Sequence, residues 1–189
     1  MESPACERCG LPTVFEGPVC DSCKDVDFAF ETARAPLRYE GVGKEIVHAL
    51  KYRGYTPVVG KVAAPLLAEA AVGAGPFDGV VPVPLHRTRL RKRGFNQAAL
   101  LARGLAGRIR TPVSDTLQVV RSTRDQVELS AAERRQNVAG AFSARSRTRG
   151  RLLLVDDVFT TGATTSACAA ALLRAGAAEV HTLTLCRTC

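Results

Sequence analysis

Two adjacent acids and a run of threonines lie near the carboxyl end of this 189-residue chain, directly after four apolar residues. The apolar run from Leu152 to Val155 predicts a short buried strand. Such a strand would deliver Asp156 and Asp157 to the carboxyl edge of a parallel sheet, where ligands of open α/β folds bind. The spacing therefore predicts a ligand site that includes both carboxylates.

The residues that follow the acids suit an anion. Backbone N–H groups, threonine hydroxyls and the N-terminus of a following helix would together form a cradle for a phosphate. A glycine in this turn would let the backbone close on the phosphate, because it has no Cβ in the way. The predicted phosphate-binding residues are Thr160, Thr161, Gly162, Ala163 and Thr164.

Two carboxylates beside an anion cradle require a ligand with two parts. A sugar phosphate meets this requirement, because its phosphate takes the cradle while its hydroxyls donate to Asp156 and Asp157. The same carboxylates can hold Mg²⁺, directly or through water. The alternative is a simple aspartate cap on the next helix, but a cap needs one aspartate and not the whole arrangement. A Walker P-loop is absent, since residues 41–45 lack its glycine spacing and its Ser/Thr.

A second cluster of charge lies between Leu85 and Gly94, where five residues are Lys or Arg. We predict a basic loop that opens on the same sheet edge as Asp156. Pyrophosphate or nucleic-acid phosphate would both suit this loop, and the alternative is a solvated basic surface. The candidate phosphate ligands are Arg87, Arg91, Lys92 and Arg93.

Four cysteines form two CxxC pairs separated by ten residues. In a reducing compartment this spacing indicates metal ligation rather than disulfides. Four thiolates favour a closed, structural zinc site, and rubredoxin-like iron is the alternative. The predicted ligands are Cys6, Cys9, Cys20 and Cys23. Cys168 is predicted to be a core residue, and the third pair, Cys186 and Cys189, to be incidental.

Strands and helices are predicted to alternate from about residue 28. Apolar alternation and β-branched runs predict strands, and apolar residues at helical spacing predict helices. The predicted strands are residues 32–39, 79–84, 117–121, 152–155 and 180–185. The predicted helices are residues 44–52, 58–72 (with a kink at Pro65 or a division into two shorter pieces), 96–109 and 164–175. This order predicts a parallel α/β sheet flanked by helices at residues 28–189, preceded by a zinc-ribbon-like module at residues 1–27.

The bulk composition is that of a globular protein with anionic partners. Hydrophobic residues make up 46% of the chain and charged residues 23%, with a net charge of +8. No apolar run reaches the ~20 residues that span a bilayer, and the start of the chain does not resemble a signal segment. We expect a cytoplasmic protein.

The segment from Leu152 to Thr165 resembles the signature with which type I phosphoribosyltransferases bind phosphoribosyl diphosphate (PRPP). That signature has four hydrophobic residues, two acids, two variable residues, Thr-Thr-Gly, one variable residue and Thr. The resemblance implies that PRPP binds with Mg²⁺, and that Asp156 and Asp157 are the catalytic residues. It also implies a flexible loop within residues 121–137 that closes over PRPP, although Ser130 and Glu133 fit a helix capping box equally well.

The whole chain is similar to a narrower group, the ComF/GntX family of competence-associated proteins. The similarity rests on the cysteine pairs, the phosphate segment and three further stretches, residues 50–54, 81–97 and 126–142. It implies a role in handling single-stranded DNA during natural transformation, with helicase or recombination-mediator proteins as partners. Two functions remain open: a phosphoribosyltransferase whose acceptor the sequence does not identify, and a non-catalytic PRPP sensor or an adaptor for DNA or protein.

Overall fold

The computed structural model describes residues 5–12, 17–53, 56–121 and 131–188. Its strands are β1 (Ala33–Arg34), β2 (Leu37–Arg38), β3 (Gly79–Pro82), β4 (Leu117–Val119), β5 (Phe142–Ala144), β6 (Arg151–Phe159) and β7 (Glu179–Arg187). Its helices are α1 (Asp21–Lys24), α2 (Gly41–Arg53), α3 (Thr56–Val58), a π-helical turn (Val59–Ala63), α4 (Ala64–Ala71), α5 (Arg87–Arg93), α6 (Gln97–Ile109), α7 (Ala131–Val138) and α8 (Ala163–Arg174).

A parallel sheet forms the centre of the fold. Among the described residues it has five strands, with β6 between β3 and β7, and with β1 and β2 both paired to the outer side of β7. The inner strands β6 and β7 are almost continuously buried, as expected for a parallel sheet covered on both faces. The prediction of a parallel sheet flanked by helices is confirmed. A separate antiparallel pair joins β4 to β5.

The strand that carries the acids is longer than predicted. We expected it to end at Val155, but its pairing with β7 continues through Asp156↔Thr184 to Phe159↔Arg187. Strand β7 is equally long and supplies hydrogen-bond partners over this whole stretch, which is why the strand does not stop where its apolar run stops. The two acids are therefore part of a strand, and the turn begins only after Phe159.

The segment predicted to be a basic loop is the helix α5, so that prediction was wrong. Arginine, lysine and leucine are good helix formers, and a charge run does not exclude a helix. The side chain of His86 accepts a hydrogen bond from the backbone N–H of Thr88 and caps the first turn. The helix ends at Gly94, which has a left-handed φ of 84° and donates its N–H to the carbonyl of Leu90.

Two prolines account for further differences from the predicted elements. The strand predicted at residues 32–39 is split into β1 and β2, which are separated by Ala35 and Pro36. Proline has no N–H to give to a sheet, so the pairing is interrupted there. Pro65 lies in the first turn of α4, directly after the π-helical turn. The kink predicted at this proline therefore takes the form of a change in helical hydrogen bonding just before it.

The sheet separates two hydrophobic cores. One lies under α2, α4 and α6 and contains Leu50, Leu101 and Leu153. The other lies under α8 and contains Leu154, Cys168 and the four paired cysteines. The cysteine segment therefore shares a core with the sheet. The division of the chain between residues 27 and 28 stays a prediction.

No helix in the part of the chain that the structure describes has the length and apolar character to cross a membrane.

Candidate functional site

The carboxylate of Asp157 is held by two side chains from the helices on one face of the sheet. Its Oδ2 lies 3.0 Å from the Nζ of Lys51, which belongs to α2. The same oxygen accepts a hydrogen bond of 3.3 Å from Nε2 of Gln97, the first residue of α6. Only 6% of Asp157 is exposed, and 23% of the Lys51 side chain is. The carboxylate is thus fixed in place before any ligand binds.

The neighbouring Asp156 has a different environment. Consecutive strand residues alternate between the faces of a sheet, so the direct contacts of Asp157 with Lys51 and Gln97 are not repeated at Asp156, although both carboxylates act on the charge of Lys51. An oxygen of Asp156 accepts the backbone N–H of Asp157 at 2.8 Å. Removal of its carboxyl group from water, together with repulsion from Asp157, raises the pKa of Asp156 well above its ordinary value, and Lys51 offsets only part of this rise. A bound cation or donating hydroxyl groups would therefore stabilise the charged form of Asp156.

Lys51 provides the only nearby positive charge that the structure pairs with Asp157 among the described residues. Burial lowers the pKa of its ammonium group, but the carboxylates of Asp157 and Asp156 outweigh that effect, so the net change is upward. Lys51 is therefore charged at neutral pH. Two carboxylates and one ammonium leave a site that can accept a cation near the acids and an anion near the lysine.

The turn after the acids begins α8 with a glycine in a left-handed conformation. We call residues 160–164 the Gly162 turn. Gly162 has a φ of 74° and, as the N-cap residue, supplies no side-chain hydrogen bond to the first turn of the helix. Its carbonyl accepts from Ser166 N–H and from the hydroxyl of Thr165. Gly162 itself thus offers no side-chain cap of the kind that Ser or Asp would provide, and a helix start of this kind suits an anionic ligand.

The Gly162 turn is pressed against aromatic rings, so no larger residue fits at its centre. A Cβ on Gly162 would lie 2.7 Å from the Cε1 of Phe28 and 2.8 Å from the Cζ of Phe159. Phe28 stacks on Phe30 at 4.7 Å, and Phe30 meets Phe159 edge to face at 6.0 Å. Thr160 is exposed at the start of the turn, and Thr161 and Thr164 are half-buried, whereas Ala163 is buried.

The basic helix α5 leaves the sheet beside the acids. Strand β3 runs parallel to β6, with Pro82 opposite Val155, so the chain that follows Pro82 emerges next to Asp156. Arg93 at the end of α5 donates to Oε1 of Gln97 at 2.6 Å, and Gln97 in turn donates to Asp157. A hydrogen-bonded chain thus links α5 to the acids. Arg87, Arg91 and Lys92 are exposed.

The four paired cysteines come together in one buried group, which we call the four-cysteine cluster. Their Sγ atoms all lie within 4.8 Å of one another. The Sγ atoms of Cys9 and Cys20 are 3.7 Å apart. A tetrahedral zinc site with Zn–S bonds of about 2.3 Å would have sulfurs about 3.8 Å apart, so the spacing fits. The cluster is compatible with a structural zinc ion.

Backbone groups prepare one of these sulfurs for metal. The N–H groups of Cys9 and Cys20 point at Cys6 Sγ from 3.5 and 3.3 Å. Burial raises the pKa of the Cys6 thiol, but the backbone N–H groups of Cys20, Cys9 and Arg8 lower it more, to about 6. Hydrogen bonds of this kind favour the thiolate, which is the form that ligates a metal. A metal bound there would stabilise this segment against unfolding.

The two remaining described cysteines lie elsewhere. Cys168 is fully buried in α8, as predicted for a core residue. Burial raises the pKa of the Cys168 and Cys186 thiols, so neither is disposed to react. Cys186 donates to the carbonyl of Gly43 at 3.5 Å, far along the chain from the four-cysteine cluster. Cys189, the other member of the CxxC pair that was predicted to be incidental, lies outside the described residues, as do Ser130 of the predicted capping box and most of the predicted flexible loop.

Three residues of this region were not singled out from the sequence. Lys51 follows the buried Leu50 in α2, and a lysine on the inner side of an amphipathic helix could have indicated a buried acidic partner. Gln97 follows Arg93 by four residues, a spacing that brings side chains together within one helix. Gly94 ends α5 between them, so the sequence gives no reason to expect this contact. Arg187 is a buried cation at the end of β7, and the apolar alternation before it could have marked it.

Comparison with known proteins gives concordant matches. A family model described as "Phosphoribosyl transferase domain" matches residues 90–188. The chain is 35% identical to DNA utilization protein YhgH of Salmonella typhimurium, over 97% of this chain and 84% of that protein. It is 28% identical to competence protein ComFC of Bacillus subtilis, over 97% of this chain and 78% of that one. It is 38% identical to competence protein F of Haemophilus influenzae, over 58% of this chain and 50% of that one.

Proposed function

Since the chain belongs to the ComF family of proteins with a phosphoribosyl transferase domain, we propose that it binds PRPP at the sheet edge that carries Asp156, Asp157 and the Gly162 turn. The observation that carries this proposal is the meeting, within one strand-turn-helix unit, of two acids with a helix start whose N-cap residue is a left-handed glycine. A ligand that has both hydroxyls and a phosphate satisfies both halves. A simple phosphate would leave the acids without a role.

The site's own residues divide the ligand between them. The backbone and hydroxyls of the Gly162 turn hold the 5-phosphate, and the carboxylates accept the ribose hydroxyls. Lys51 is drawn toward the diphosphate, because an anion competes with Asp157 for its ammonium. Gln97 keeps Asp157 oriented while Lys51 shifts, since it bonds to the same oxygen.

The carboxylates of Asp156 and Asp157 also fit Mg²⁺. Magnesium prefers oxygen ligands, and it usually combines one or two carboxylates with water and substrate phosphates. When bound, it would neutralise the diphosphate and make it a better leaving group. The raised pKa of Asp156 fits this assignment, because a nearby cation would relieve its repulsion from Asp157.

In the enzyme that this proposal describes, the bond between ribose C1 and the diphosphate breaks. The positive charge that develops on the ring would be stabilised by the two carboxylates. The described residues around Asp157 are a lysine and a glutamine, and neither identifies an acceptor base or amine. We therefore assign PRPP binding, and leave open whether the chain transfers the ribosyl group or senses PRPP.

Calorimetric titration with PRPP, with and without Mg²⁺, tests the proposal. We expect saturable binding of about one PRPP per chain, tighter with Mg²⁺, because the metal links the diphosphate to the acids. Ribose 5-phosphate should bind more weakly, since it lacks the diphosphate that meets the metal and Lys51. An absence of PRPP binding in Mg²⁺-containing buffer would overturn the proposal.

We further propose that the basic helix α5 binds single-stranded DNA. Relatives carry the names DNA utilization protein and competence protein. The side chains of Arg87, Arg91 and Lys92 are exposed, and no described acidic residue forms a salt bridge with them. Several exposed cations on one short helix suit a phosphate backbone. The hydrogen-bonded chain from Arg93 through Gln97 to Asp157 links this helix to the acids of the proposed PRPP site.

The salt dependence of DNA affinity measures this contact. Each phosphate neutralised on a single strand contributes about 0.7 to the slope of log affinity against log salt concentration. Changing Arg91, Lys92 and Arg93 together to Gln should therefore flatten the slope by about 2 if all three contact phosphates. Fluorescence anisotropy with a labelled oligonucleotide at several salt concentrations gives both slopes.

The chain offers a control that matches this change in charge. Arg145, Arg147 and Arg149 are exposed and precede the first residue of β6, at the opposite end of the sheet from the acids. Changing these three to Gln removes the same charge, and the slope should change little. A flatter slope in this triple variant and an unchanged one in the α5 variant would place the DNA site at the other edge.

We propose that the four-cysteine cluster holds structural zinc, and that the protein is cytoplasmic, because thiolate zinc sites of this kind suit a reducing compartment.

A further inference from the structure

We infer that Arg187 is a positioning residue that couples the four-cysteine cluster to the Gly162 turn, so that metal in the cluster and PRPP on the turn strengthen each other's binding. The inference rests on the proposed function, and it adds a link between two sites that serve different ligands. It starts from an arginine with an unusual position. Arg187 is the last residue of β7, and only 7% of it is exposed.

Arg187 has no acidic partner among the described residues. Its Nη1 donates to the carbonyl of Cys9, and its Nη2 lies 3.7 Å from Cys9 Sγ. Its buried Nε finds no hydrogen-bond partner within the described part of the chain. A buried guanidinium without a counter-charge is costly. The sulfur of Cys9, a member of the four-cysteine cluster, is a group in contact with Arg187 that can supply negative charge.

Metal binding would complete the charge balance of Arg187. A zinc ion with four thiolates carries a net charge of about −2, which is more negative than the charge of the same cysteines without metal. The guanidinium beside Cys9 would then hold a charge-assisted contact with a thiolate that ligates the metal. The guanidinium of Arg187 should therefore be more strongly held in its observed position when metal is bound.

The same guanidinium also contacts Phe159, the residue directly before the Gly162 turn. Its central carbon lies over the ring of Phe159, 5.5 Å from the centroid. Phe159 is the last residue of β6, and its ring lies against the position where Gly162 would carry a Cβ. A shift of Arg187 would therefore be passed through the ring to the turn that holds the phosphate.

A second set of contacts links the cysteine segment to the Gly162 turn through Phe28 and Ala29. Arg8, between two of the cysteines, donates to the carbonyl of Phe28 at 2.7 Å. Phe28 packs against Gly162, and the next residue, Ala29, donates its N–H to the hydroxyl of Ser166 in α8 at 3.1 Å. The cysteine segment is thus linked to the turn through Phe28 as well as through Arg187 and Phe159. This arrangement makes the geometry of the turn depend on the order of the cluster.

Coupling of this kind is reciprocal. If zinc increases PRPP affinity by some factor, PRPP must increase zinc affinity by the same factor. Couplings between sites commonly amount to about 5- to 150-fold. Zinc transfer from the loaded protein to a competing chelator should therefore be at least about five-fold less favourable at saturating PRPP and Mg²⁺ than with Mg²⁺ alone.

The experiment measures zinc affinity by chelator competition, with and without PRPP, in the full chain and in three variants. Arg187→Gln removes the cation, and Phe159→Leu keeps Arg187 and all proposed ligands but removes the ring. Arg103→Gln changes an exposed arginine of α6 and serves as the control. We expect PRPP to increase the zinc affinity of the wild type and of Arg103→Gln at least about five-fold. In Arg187→Gln and Phe159→Leu the increase should be about two-fold or less. Cobalt in place of zinc gives a spectroscopic check, since its absorption bands should shift on PRPP addition only in the responsive proteins.

The outcomes separate this inference from the proposed function. If PRPP binds the wild type by calorimetry but leaves zinc affinity and the cobalt spectrum unchanged, the coupling is refuted and the PRPP site stands. If PRPP does not bind at all, both fail. If Arg187→Gln does not fold, Phe159→Leu decides, because a full response in that variant would overturn the route through the ring.

Discussion

Asp157→Asn should weaken PRPP binding in the presence of Mg²⁺ on the order of 100-fold, since a hydrogen bond to a charged group contributes about 1.5–3 kcal/mol. The amide keeps the shape of the side chain, but it loses the charge that holds the metal and the ribose hydroxyls. It can still accept from Lys51 and Gln97, and Asp156 remains nearby, so the free energy of unfolding should fall by only about 1–2 kcal/mol. Calorimetry at a temperature well below the unfolding midpoint separates the two effects.

Inorganic phosphate distinguishes the two halves of the site. It needs only the Gly162 turn, so its affinity for Asp157→Asn should survive or rise, because a nearby negative charge has gone. Lys51 is also released from its carboxylate and becomes more available to an anion. The variant with both Asp156→Asn and Asp157→Asn should show the same separation more strongly.

A matched control lies at the other end of the sheet. Asp78 is an exposed aspartate whose Oδ2 accepts the backbone N–H of Arg151 at 2.7 Å. Asp78→Asn makes the same chemical change to a hydrogen-bonded aspartate, and it should leave PRPP binding unchanged. Equal losses of PRPP and of plain phosphate in Asp157→Asn would mean that the carboxylates only shape the turn.

The residues of this site could be predicted from the sequence because their chemistry is local. An apolar strand, two acids, a glycine and a helix start follow one another without interruption, and each has its own pattern in the chain. The position of Gly162 was predicted for the same reason, since a close backbone approach requires glycine. The aromatic rings that make glycine necessary there come from Phe28 and Phe159 and could not be predicted, because the fold brings Phe28 to the turn from far away in the sequence.

The partners of the acids could not be predicted, because long-range contacts determine them. Lys51 reaches Asp157 across more than a hundred residues, and only the packing of α2 against the sheet brings them together. The length of β6 depended on its neighbour β7, and not on its own apolar run. Helix α5 was predicted as a loop because of its run of charged residues. Its boundaries are residues of the sequence itself, the capping His86 and the terminating Gly94.

Cys20→Ser should abolish zinc binding and disorder the segment around the four-cysteine cluster. Protein purified without added metal should contain about one zinc per chain by elemental analysis, and the variant should contain almost none. Structural zinc contributes about 10–16 kcal/mol of apparent binding free energy, far more than so short a segment can gain by burying apolar surface. The same measurement separates zinc from iron, which the cysteine spacing also permits.

A cysteine outside the cluster provides the control for this change. Cys168 is also fully buried, but it lies in α8 and is not part of the four-cysteine cluster. Cys168→Ser should cost about 1–3 kcal/mol through burial of a hydroxyl, and the zinc content should stay the same. The absence of any metal from native, reduced wild-type protein would refute the zinc site. In that case Arg187 would have no counter-charge in the cluster, and the cost of burying it beside Cys9 would need another explanation.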